Sequence, residues 1–205
     1  MKNKIIRIER LYKSSRIIIP IGCDCHPAYA LNKLHLRKYS LPFDWLNSKP
    51  ETNLYYVMDC LRTKFEKAFL DIYFDEDKRA VSRNYPNTQF FHEPSIAFDN
   101  NTLNKFIFRG KLLCELVEKM DVSYLCNIKM SPFQGKQIAD KLLQDIAAFS
   151  LFMKQNDSLY IYFTTEDNRE ENQNMQEYLF YHGLRLLRTV SFQITTTLST
   201  NRHPD

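Results

Sequence analysis

The residue types best suited to chemistry are gathered in one short stretch, Gly22-Cys23-Asp24-Cys25-His26-Pro27, directly after the apolar run Ile17-Ile18-Ile19-Pro20-Ile21. A continuous β-branched run of this kind reads as a buried strand, here ending at the glycine. A helix is expected to follow: Asp24 can cap it, Pro27 suits its first turn, and Ala28, Leu31 and Leu34 share one face before it ends near Lys38. A cysteine in that first turn meets free backbone N–H groups and the positive end of the helix dipole, both of which favour thiolate. The same N–H groups can hold an oxyanion. Cys25 is thus the best-placed nucleophile of the five cysteines, with Cys23 on the strand or its turn. The competing reading is a thiol packed under a helix start.

Cys23-x-Cys25-His26 is a poor metal signature, because zinc sites favour ligand pairs two to four residues apart and a second pair is needed. Neither a metal nor a cofactor is expected. Only four glycines occur, Gly22, Gly110, Gly135 and Gly183, too dispersed for a phosphate loop or a dinucleotide fingerprint, which excludes P-loop NTPases and ordinary Rossmann dehydrogenases.

The elements that must position these residues are legible as periodicity. Ser48 with Glu51 forms a capping box ahead of Leu54, Val57, Met58, Leu61 and Phe65 at helical spacing. From Asp71 to Asn87 the pattern dissolves, and Thr88 to His92 reads as a short strand stopped by Pro94. Leu103 to Met120 marks a long helix and Val122 to Lys129 a strand. Ser131, Pro132 and Gln134 open a helix through Ile138, Leu142, Ile146 and Phe149. Leu159 to Thr164 is strand, Glu170 to His182 helix closed by Gly183, and Leu184 to Thr197 mostly strand. This alternation implies βαβ units: an α/β three-layer sandwich, with a mostly parallel sheet and helices on both faces. Ligands of such sheets collect at the carboxyl ends of the strands, where Cys25 would sit.

The chain of 205 residues carries a formal charge of +4. Residues 1–16 hold six Lys and Arg against Glu9, so the excess is concentrated in a basic N-terminal arm and residues 17–205 form one nearly neutral α/β domain. A basic groove for nucleic acid is therefore not expected. No run reaches the length of a membrane span and no cleavable leader is legible, so stable membrane insertion is not expected and a cytoplasmic location is. An odd number of cysteines without export signals suggests free thiols, with Cys60, Cys114 and Cys126 as small core residues. The tyrosines at 55, 56, 160, 162, 178 and 181 read as half-buried core, and His203 as a terminal residue without a role.

The residues Ile21-Gly22-Cys23-Asp24-Cys25, Pro27-Ala28, Leu31, Leu36-Arg37 and Ser40-Leu41-Pro42-Phe43-Asp44-Trp45-Leu46 resemble a bacterial family described as papain-like cysteine peptidases, whose function is otherwise unassigned. The spacing from Gly-x-x-Cys to Pro-Phe-Asp-Trp carries the resemblance. Phe91-His92-Glu93 and the helix from Lys105 to Met120 extend it more weakly over about two thirds of the chain. The resemblance implies a nucleophile at Cys25 with His92 as general base, and, as an alternative fold, a papain-like α+β arrangement with the histidine on an antiparallel sheet. A histidine of near-neutral pKa suits that task.

A third group usually orients the imidazole; Asp44 is the first candidate and Glu93 the reserve, and Trp45, Asp24 and Glu93 are candidate substrate contacts. Asp44 could instead simply bond its own turn, and His92 could stack among Tyr85, Phe90 and Phe91. The expectation is a cysteine-dependent hydrolase or acyltransferase acting on a peptide, glycan or small molecule. Its rival is a non-catalytic binding or assembly domain, linked to cell-surface polysaccharide production.

Overall fold

The computed structural model describes residues 14–130, 136–165, 191–192 and 197–198. The elements in chain order are β1 (Ile17–Gly22), α1 (His26–Lys33), β2 (Asn47–Ser48), α2 (Pro50–Arg62), β3 (Ile72–Phe74), β4 (Ala80–Ser82), β5 (Tyr85–Gln89), a 3-10 turn (Pro94–Ala97), α3 (Asn100–Lys119), β6 (Val122–Met130), α4 (Lys136–Phe152), β7 (Ser158–Thr165), β8 (Ser191–Phe192) and β9 (Thr197–Leu198). The fold is mixed α/β. In the parallel sheet β6 lies between β1 and β7, with β8 and β9 both pairing with β7. A second, antiparallel sheet runs β2-β5-β4-β3.

Alternation along β6 assigns its side chains to faces. Val122, Tyr124, Cys126 and Ile128 join Ile17, Ile19 and Ile21 of β1 and Leu159, Ile161 and Phe163 of β7 in the main core, together with Leu54, Val57 and Leu61 of α2 and Leu142, Ile146 and Phe149 of α4. Helices α2 and α4 touch each other, so they cover the same face. The opposite face of β6 and β7 carries Asn127, Tyr162 and Thr164. Asn127 is buried there as completely as the core residues.

Several boundaries differ from the sequence expectations. Helix α1 ends at Lys33, not near Lys38, because Leu34 caps it and His35 turns into the left-handed region at φ 56°. The residue that caps the start of α1 is Cys25, not Asp24. The capping box at Ser48 does not form: Lys49 is the cap, Pro50 opens α2, and Ser48 pairs with Thr88 in the antiparallel sheet. Phe65 lies beyond α2, in a left-handed turn at φ 64°, where its ring packs on Gly110 of α3; a Cβ there would stand 2.9 Å from the ring. The region 71–87, read as patternless, holds three short strands, and β5 begins three residues before the expected Thr88, at Tyr85.

Cys60 and Cys126 are fully buried, whereas Cys114 is half-buried. Tyr55 and Tyr160 are exposed and Tyr56 is buried. The expected helix opening at Ser131, the helix 170–182, most of the strand 184–197, Tyr178, Tyr181, His203 and the arm up to residue 13 lie outside the described residues. Arg16 donates to the Asn156 carbonyl at 2.6 Å and to Ser158 Oγ at 3.1 Å, fastening the start of β1 beside β7. No helix among the described residues is long and apolar enough to cross a membrane.

Candidate active site

The end of β1 is clamped from three sides. Asn53 of α2 donates to the Gly22 carbonyl at 2.6 Å and to Ser48 Oγ at 2.8 Å. The Ser48 amide donates to the Cys23 carbonyl at 2.8 Å, and the Cys23 amide to the Asn127 carbonyl at 3.0 Å. Gly22 is required by this close approach: its φ is +157°, and a Cβ would stand 2.8 Å from the Asn127 nitrogen. Strand packing thereby delivers Asp24, Cys25 and His26 to the carboxyl edge of the parallel sheet.

Cys23 points into the protein, 4% exposed, and burial pushes its thiol up to about 12. Cys25 is half-buried. Its thiol is also raised, first by burial and then by the neighbouring Asp24 carboxylate, which reverses the expectation of a thiolate favoured by the helix start. Burial is the larger cause and the Asp24 charge adds to it. The first turn also offers fewer donors than expected. The His26 N–H is taken by Asp24 Oδ1 at 3.0 Å, Pro27 has none and Ala28 is fully buried, leaving the amide of Cys25.

Asp24 is the hub of the edge. Its Oδ2 lies 2.8 Å from His26 Nδ1, and its Oδ1 accepts from Asn127 Nδ2, also at 2.8 Å. Thr164 Oγ1 in turn donates to Asn127 Oδ1 at 3.0 Å. Burial pushes the Asp24 carboxyl up, but the bonds from the His26 ring, the Asn127 amide and the His26 backbone outweigh it and hold it below the ordinary carboxylate range. The carboxylate in turn raises the His26 imidazole. Tyr162 of β7 faces the same group; burial, Asp24 and the cysteines keep its phenol protonated.

The other expected residues form a separate cluster. Asp44 is buried, and its Oδ2 accepts from the Leu41 amide at 2.9 Å and from Arg37 Nε at 3.1 Å, with Arg37 Nη2 closer still. Burial, set against these donors, nevertheless raises its carboxyl. The Arg37 guanidinium lies over the Trp45 ring, 5.4 Å from its centroid. His92, exposed in the turn after β5, meets Trp45 edge-on at 5.6 Å. Glu93 pairs with Lys105 at 2.8 Å. Asp44, Trp45, Arg37 and His92 are therefore brought together, and Cys25 shares a hydrogen bond with none of them.

Sequence reasoning missed His26, Asn127 and Thr164. The Asp24-x-His26 spacing was the readable part, since aspartate commonly bonds the amide two residues on; Asn127 and Thr164 are separated from it by more than a hundred residues, and only strand register brings them near.

The family model with the description "Putative papain-like cysteine peptidase" matches residues 16–182. An uncharacterized protein of Acanthamoeba polyphaga mimivirus is 30% identical over 115 residues, covering 47% of this chain and 52% of that protein. The chain thus spans about half the length of this curated relative. No solved structure matches.

Proposed function

The chain belongs to this papain-like cysteine peptidase family, and on that premise we propose that it is a cysteine-dependent hydrolase or acyltransferase whose nucleophile is Cys25. The observation that carries the reading is the placement of a half-buried thiol at the carboxyl edge of a parallel sheet, next to a hydrogen-bonded Asp24–His26 pair. A thiol held protonated by burial and by Asp24 needs a histidine to take its proton during attack on an acyl or amide carbon. The amide of Cys25 is the first-turn donor left for the oxyanion. Water as the second acceptor gives hydrolysis; an amine or hydroxyl gives transfer. Trp45 and His92, in T-shaped contact, are proposed to lie along the path of a bound peptide, glycan or small acyl donor.

The test is turnover of three donor classes, an aryl ester, an acyl thioester and a peptidyl anilide, by the wild type and by Cys25→Ala of verified fold. Turnover of at least one class that disappears in Cys25→Ala supports the reading. Rates equal in the two proteins for every class would overturn it and favour a non-catalytic binding or assembly domain.

A further inference from the structure

We propose that the proton in this chemistry moves through His26, with Asp24, Asn127 and Thr164 as positioning residues that fix its imidazole; the proposal rests on Cys25 being the nucleophile. The bonds of the network run in one direction. Thr164 donates its hydroxyl proton to Asn127 Oδ1, which turns the amide so that Nδ2 donates to Asp24 Oδ1, and Asp24 Oδ2 then accepts from His26 Nδ1. Nδ1 therefore carries the proton in the neutral ring, and the lone pair stands on Nε2. A local turn at Asp24 needs only the His26 amide. Recruiting a fully buried asparagine from β6 and a threonine from β7 goes beyond that need, because an amide inside a sheet is tolerated only when its polar atoms are paired.

His92 lacks such an arrangement: its contacts are the edges of Trp45 and Phe91, Glu93 is engaged by Lys105, and Asp44 by Arg37 and Leu41. Among the described residues, His26 is the histidine whose ring is hydrogen-bonded to a carboxylate. Its side chain is 58% exposed, open to substrate and water. The charged groups that act on it are Asp24 in its own loop and Lys129 from β6; Cys25 precedes it in the chain, and Tyr162 from β7 faces Asp24 and Cys25.

The step balances as follows. Cys25 Sγ and the His26 ring share no hydrogen bond, so as the sulfur bonds to the carbonyl carbon, Nε2 takes the thiol proton through one bridging water. The tetrahedral adduct collapses, breaking the bond from carbon to leaving group, and His26 returns the proton to that group. Water then attacks the thioester and loses its proton to Nε2, and that proton passes back to sulfur as the acid departs.

The experiment follows acetylation of Cys25 by p-nitrophenyl acetate, mapped by peptide mass spectrometry from pH 5 to 9, in the wild type, His26→Gln, Asp24→Asn and His92→Gln. The expected result is a rate that rises as His26 loses its proton. It falls about 100-fold or more at neutral pH in His26→Gln, shifts its midpoint to lower pH in Asp24→Asn, and keeps its pH limb in His92→Gln. A limb that vanishes in His92→Gln but persists in His26→Gln would overturn the assignment to His26 while leaving Cys25 as nucleophile. No acetylation of Cys25 in any protein would remove both. NMR titration of the His26 ring is an independent check, since its midpoint must coincide with that of the wild-type rate.

Discussion

Asn127 Nδ2 stands 2.8 Å from Asp24 Oδ1, binding the middle strand of the parallel sheet to a loop 103 residues earlier in the chain. That single bond connects the geometry of the sheet to the ion pair at its edge. Asn127 can serve Asp24 only while its own oxygen is satisfied, and Thr164 Oγ1 is the donor that satisfies it.

Thr164→Val keeps shape and removes that donor. It leaves a fully buried amide oxygen unpaired and is expected to lower stability by about 1–2 kcal/mol, measured by urea denaturation. It should also slow turnover more than the change in folding accounts for. Unchanged stability and turnover together would show that the network does not hold Asp24.

Gly22→Ala places a methyl group 2.8 Å from the Asn127 nitrogen and 2.9 Å from its oxygen, at φ +157°. Both contacts are backbone, so neither can swing aside. A loss of about 3 kcal/mol is expected, and a protein of wild-type stability would mean that β1 and β6 are not joined as described.

The His26 imidazole is raised first by its hydrogen bond to Asp24, against the opposing effect of burial. A raised value means the folded state binds the proton more tightly than the unfolded chain. The pair therefore stabilises the fold fully below 6.5, the ordinary imidazole value, and loses that contribution as pH rises through the folded value. NMR of the ring should give a midpoint above 6.5, displaced downward in Asp24→Asn. A midpoint that ignores Asp24→Asn would contradict the ion pair.

Asp44 is expected to act through the fold. Asp44→Ala strands the Arg37 guanidinium and the Leu41 amide and should lower stability by about 3 kcal/mol, whereas Asp44→Asn keeps an acceptor for Leu41 and should be milder. Turnover per folded molecule should change little. Full stability with abolished turnover in Asp44→Ala would instead place the carboxylate in the chemistry.

Much of the frame was legible because it is periodic. The run from Ile17 to Gly22, the helical spacing of Leu54, Val57, Met58 and Leu61, the long helix around Leu113 and the strand from Val122 all follow from apolar repeats. The short strands β3 and β4 were illegible, since three residues contain too little of a period-two pattern to separate it from a loop. Ser48 and Glu51 matched a capping box, but strand pairing with Thr88 claimed the serine first. Cys25 was locatable from the strand-to-helix junction alone. The state of its thiol was not, because it depends first on burial in the fold and then on the Asp24 charge, which Asn127 holds from across the sheet.

The most direct measurement for the central claim is intact mass of the chain quenched in acid during turnover of whichever donor class it accepts, followed by peptide mapping. One acyl group per chain is expected, on the peptide containing Cys25 and absent in Cys25→Ala. Turnover with no acyl group at Cys25, or acyl groups scattered over lysines and other cysteines, would contradict it.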